Sequence, residues 1–147
     1  LYDTYKNITK REVKAMSEMI KFEEVEKRVI TIREQQVLID RDVAELYGVE
    51  TKRINEAVKN NPEKFPENYI HALYQDELCK LVENFDRFNP LKHSTTLPTA
   101  FTEKGLYMLA TILKSPAATQ TTLAIVETFA KIREMSRAIN QLPNVQE

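Results

Sequence analysis

The chain reads as an α+β protein, mostly α, with a small β-hairpin, a helix-turn-helix unit, short strands and a long C-terminal helix. Three observations predict this. Apolar residues three and four apart recur along most of the 147 residues, the period of half-buried helices. One β-branched run, Val29 to Ile39, breaks that period, and Gly48 joins two short helical patterns. With 42% hydrophobic residues the chain suffices for one domain with a real core, and two would crowd it.

The first helix is predicted from Lys10 to Glu26. Thr9-Lys10-Arg11-Glu12 reads as a capping box, Ile8 and Val13 as a hydrophobic staple, and Val13, Met16, Met19, Ile20 and Phe22 as a face to be buried, in this domain or against a second copy. In VITIREQQVLI, β-branched residues flank the polar tetrad Arg33-Glu34-Gln35-Gln36, which predicts a hairpin. Asp40 offers an N-cap for a helix from Arg41 to Tyr47, Gly48 suits its left-handed end, and a second helix runs from Thr51 to Asn60.

Pro62 and Pro66 bracket a loop, Tyr69 to Tyr74 reads as a strand, and Asp76 to Phe85 as a helix with Leu78, Leu81 and Val82 inward. Asp86 to Thr96 is the least regular stretch. Pro98 to Phe101 is extended, Thr102 caps a helix to about Leu113, and Ser115-Pro116 starts the last helix, to about Asn140. Its residues Ala118, Thr122, Ile125, Phe129, Ile132, Ser136 and Ile139 form a heptad-like stripe, for core packing alone or with dimerisation. The organisation is an N-terminal helix over 1–28, a domain over 29–134, and a C-terminal helix over 116–147 with a frayed tail.

Composition excludes several classes. The one cysteine, Cys79, allows no internal disulfide, and with His71 and His93 it makes no zinc spacing. No glycine-rich phosphate loop is present. No run approaches the ~18 apolar residues of a membrane helix, and no leader pattern opens the chain, so a cytoplasmic protein is expected, with no membrane partner and no cofactor. The net charge of −1 gives no global pull toward nucleic acid, so any such role must rest on local placement.

That placement is found in DRDVAELYGVETKRINEAVKN, Asp40 to Asn60. Ala44 is small where the helices approach, and Val43, Tyr47, Val49, Ile54 and Val58 are the inward positions. The outward face presents Thr51, Lys52, Asn55, Glu56 and Lys59, with Arg53 and Asn60 at its flanks. Arg and Lys reach guanine acceptors or phosphates, and Asn pairs with adenine through two bonds. Glu50 and Glu56 weaken phosphate attraction.

Other polar residues read more simply. His71 is a half-buried strand residue, His93 an exposed loop residue, and Cys79 a buried, inert thiol. Asp40 and Asp42 are a cap and a first-turn charge rather than a metal pair. Gly105 admits a neighbouring backbone. The loop from Asn84 to Thr96, with Arg87, Lys92 and His93, is either a wing on phosphates or a connector. Catalytic and metal-binding residues are expected to be absent.

The segments Leu38 to Leu73 and Ala100 to Glu134 together resemble the KilA-N type of phage and prophage DNA-binding domain, and most of all its short subgroup named after the N-terminal part of a phage's sixth open reading frame. The resemblance rests on Asp40, AELYGV (residues 44–49), Lys52, Asn61, Phe65-Pro66, Leu73, Phe101-Thr102-Glu103, Gly105, Leu109, Leu113, Ser115, Ala118, Ile125 and Phe129. It implies a non-enzymatic regulator or antirepressor-like protein of bacterial phages and prophages. Joined to the helix face read above, the expected function is binding of double-stranded DNA in a bacterial cell, as a homodimer, through Thr51, Lys52, Arg53, Asn55, Lys59 and Asn60. Asn60 stands where relatives often carry Arg, and His71 where they often carry an aromatic residue. The rival expectation is a protein-interaction module, antirepressor-like, that binds a regulatory protein instead.

Overall fold

A computed structural model describes residues 9–143, the side chains of Ala15 and of residues 17–20 apart. The first helix, α1, spans Lys10–Glu26; both halves of its capping box form, Glu12 N donating to Thr9 Oγ1 and Thr9 N to a Glu12 carboxylate oxygen. Ile8 of the staple and the side chains of Met19 and Ile20 lie outside the described residues. Val13 and Met16, expected to be buried, are exposed.

The hairpin pairs β1, Ile30–Ile32, with β2, Gln35–Ile39. Its two-residue connection, Arg33 and Glu34, has φ of 51° and 65°, the left-handed pair that matches strand twist. Arg33 is held there by two bonds to the Glu77 carboxylate, one to Ala72 O, and its guanidinium over the Tyr74 ring.

Helix α2 spans Asp40–Tyr47 and α3 Thr51–Asn60. After a short 3-10 turn at Pro62–Lys64 come β3, Ile70–Ala72, and α4, Gln75–Asn84. The irregular stretch begins with a 3-10 segment, Asp86–Leu91, whose Phe88 is fully buried. Strand β4, Thr99–Thr102, leads into α5, Glu103–Ala110, capped by Thr102 as expected but ending three residues early. The last helix, α6, spans Pro116–Asn140; Ser115 Oγ caps it by accepting from Ala118 N at 3.0 Å.

The four strands form one antiparallel sheet in the order β1-β2-β4-β3, in the register Leu38 opposite Phe101 and Phe101 opposite Ile70. Alternation sends Leu38 and Phe101 to one face, among Val43, Ile54, Leu109, Ile125 and Phe129. Val37, Ile39 and Ala100 go to the other, against Leu73, Leu81 and Phe88. Helices therefore cover both faces of the sheet. The predicted stripe on α6 is buried at Ala118, Ile125 and Phe129 but exposed at Ser136 and Ile139, because the helix outruns the body of the protein.

Candidate nucleic-acid interface

The α2–α3 pair is joined by three residues, Gly48, Val49 and Glu50. Gly48 sits at φ 68°, ψ 34°, where a Cβ would be strained, and Val49 N donates to Ala44 O at 3.0 Å while Gly48 N donates to Glu45 O. This is a Schellman ending, which satisfies the last carbonyls of α2 and turns the chain sharply. Val43, Ala44, Tyr47, Ile54 and Ala57 fill the angle between the helices. Val49, expected inward, is exposed on the turn.

On α3 the exposed residues are Lys52, Arg53, Glu56, Lys59 and Asn60, a single arc opposite buried Ile54 and Ala57. Arg53 and Asn60 thus belong to the arc itself rather than to its flanks. Thr51 and Asn55, placed on the outward face from sequence, sit half-buried at its edge. Lys52 Nζ lies 4.0 Å from a Glu56 carboxylate oxygen, a mostly exposed pair of small energetic worth.

Asn55 is turned inward. Its Nδ2 donates to Asp40 Oδ2 at 3.1 Å, and the same oxygen accepts from Thr99 N at 3.3 Å, while Oδ1 accepts from Arg41 N at 2.8 Å. Asp40 is therefore not the N-cap of α2; that position is Ile39, and Asp40 is a buried acceptor joining α2, α3 and β4. Burial pushes its carboxyl above the ordinary range, against the pull of the three donors.

Asp42, also buried, is raised by burial and pulled back by Arg87, whose Nη2 donates to it at 3.2 Å. Arg87 also donates to Arg28 O, and its own carbonyl accepts from Arg41 Nη1 at 2.7 Å. Arg28 in turn binds Glu24 and Glu45. Arg87 is thus spent inside the protein, whereas Lys92 and His93 of the same loop are exposed. Asp40 and Asp42 share no hydrogen-bond donor, and among the described residues no three His, Cys, Asp or Glu side chains gather to hold a metal ion.

Cys79, expected to be buried, is exposed on α4 between inward Leu78 and Leu81, because one residue along a helix turns a side chain by about 100°. His71 is half-buried in β3, its Nε2 2.7 Å from Gln35 Oε1. No helix among the described residues is long and apolar enough to cross a membrane. The Asp40–Asn55–Thr99 node had no sequence signal of its own, since an Asp before a helix reads first as a cap.

These features define an α+β module that displays one polar helix at the end of a tight turn. A family model described as the ORF6N domain matches residues 27–112, more than half of the chain. The chain belongs to the ORF6N domain family. No curated protein and no solved structure matches it.

Proposed function

We propose that this chain is a phage- or prophage-derived regulator that acts inside the bacterial cell by binding duplex DNA, not by catalysis. The observation that carries the reading is the arc of α3, where three cations and an Asn stand exposed together on a helix tied through Asn55 and Asp40 to α2 and β4. Lys52, Arg53 and Lys59 reach phosphates or guanine edges, and Asn60 supplies an amide for a base edge. Asn55 acts through Asp40 to orient the helix and does not read bases. The resemblance to KilA-N-type domains supports the same reading, with α2 and α3 as the helix-turn-helix.

A second reading, an antirepressor-like module that binds a regulatory protein, is favoured by one feature: Glu56 lies within the arc and neutralises part of it. Fluorescence anisotropy of mixed duplexes at low and physiological salt decides between them. A DNA reader shows affinity that falls steeply with salt, and Lys52→Ala with Lys59→Ala lowers the log–log salt slope by about 2. Both side chains are exposed, so the variant keeps its fold, checked by circular dichroism. No duplex affinity at low salt transfers the function to a protein partner.

A further inference from the structure

Helix α1 and all of α6 lie outside residues 27–112, so the family module carries an appended pair of helices. They pack against each other, Lys21 Nζ donating to Thr121 Oγ1 and Lys131 Nζ standing 4.6 Å from the Phe22 ring centroid. Between them lies an open cleft with an apolar floor of Val13, Phe22, Leu123, Ala124 and Ala130. Val13 and Leu123 are 54% and 52% exposed, so among the described residues this floor is only half covered.

The rim is charged and balanced. Lys10, Lys14, Lys21 and Lys131 supply four cations, and Glu23, Glu26, Glu127 and Glu134 four anions. Elsewhere in the molecule acids and bases pair freely, as in Arg33 with Glu77 and Arg28 with Glu24, yet among the described residues none of these eight rim groups is in an ion pair. The charges of α1 are also ordered: Lys10, Arg11 and Lys14 outnumber Glu12 in its first turns, and Glu23, Glu24 and Glu26 stand in its last. That order opposes the helix dipole, which favours anions at the N-terminus and cations at the C-terminus.

A nucleic acid, an acidic peptide or a basic peptide would meet like charge on half of such a rim. A second copy of the same surface, turned by a two-fold axis, sets the cationic end of one α1 against the anionic end of the other and closes both apolar floors. The geometry points to this cleft as the docking surface for a second copy of this chain. The occupant follows from the charge balance and does not depend on DNA binding; if α3 reads DNA, the dimer presents two such helices, as a palindromic site requires.

Sedimentation equilibrium of the full chain tests it. The native chain is a dimer at micromolar concentration, and Leu123→Glu, which charges the exposed floor, weakens it tenfold or more. Lys10→Glu with Lys14→Glu makes the rim acidic, and Glu23→Lys with Glu26→Lys, at the other end of α1, makes it basic. All four positions are exposed, so each variant folds; each alone is monomeric where the native chain is dimeric, and an equimolar mixture returns the dimer mass. A native chain that stays monomeric overturns the proposal and assigns the cleft to residues 1–8 or to a different protein. A dimer indifferent to Leu123→Glu, or rim variants that do not re-associate on mixing, overturns it as well.

Discussion

Gly105 has no room for a methyl group: a Cβ on it would lie 2.0 Å from Tyr69 O, a backbone atom. The same carbonyl accepts from Thr102 N and Thr102 Oγ1, so β3 cannot withdraw without breaking the start of α5. Gly105→Ala is expected to cost about 3 kcal/mol by forcing the strand and helix apart, read as a lower urea midpoint. Sequence foretold a close backbone approach here, because glycine early in a capped helix has few other reasons to be there. At Asp40 sequence misled, because a cap and a buried acceptor use the same residue in the same place. Asp40's carboxyl is raised above its ordinary 3.8 by burial. Between that value and its folded one, the native chain keeps a proton that the unfolded chain has released, so this group withdraws stability as pH rises through the window. Asp40→Asn removes the titration, and its stability relative to the native chain should therefore rise with pH there; urea unfolding at stepped pH reads it, and a flat difference would disprove the assignment.

At the scale of elements, helices were more legible than their facing. The bounds of α1, α3 and α6 follow from Thr9, the Gly48 turn and Ser115-Pro116, signals that act within one turn of chain. Which side of α3 faces outward depends on where the sheet and α2 lie, which no local pattern states. The wheel is consequently displaced by less than one residue's turn, enough to exchange Thr51 and Asn55 for Arg53 and Asn60. The hairpin was visible from its β-branched residues, although its connection lacks the Asn-Gly that such turns prefer. Glu34 sits at φ 65° with no turn-forming side chain to justify it, a conformation costing a non-glycine residue roughly 1–2 kcal/mol. Glu34→Gly is expected to gain about 0.5 kcal/mol after the larger unfolded-state entropy of glycine is subtracted, raising the urea midpoint. Arg33 is not open to the same improvement, since its bonds to Glu77 and Ala72 O would be lost with the side chain.

Over the whole molecule, the family boundary and the physical boundary differ. Residues 27–112 supply the sheet, α2 to α5 and the α3 arc, but one of the two apolar clusters is shared with the appended helices. Val25 of α1 and Ala118, Ala124, Ile125 and Phe129 of α6 are buried in the same cluster as Val43, Phe101 and Leu109. Polar ties follow the same route: Tyr47 Oη is 2.7 Å from Thr122 Oγ1, and Thr121 Oγ1 donates to Leu46 O. Removing α1 and α6 would bare the back of α2, the helix that Gly48 ends. A fragment of residues 27–112 is therefore expected to lack cooperative unfolding and dispersed amide resonances, whereas residues 9–143 show both. Within the full chain, Ile125→Ala should cost about 2–5 kcal/mol, as for other fully buried aliphatic truncations, and should unfold α2 and α3 together with α6 in a single transition measured by amide exchange. If the fragment folds alone, or if α6 exchanges at Ile125 without the α2–α3 pair, the long helix is a separate appendage and that pair is held by the sheet side only. Coupling of the two would mean that whatever docks in the α1–α6 cleft acts on the same packed unit that positions α3.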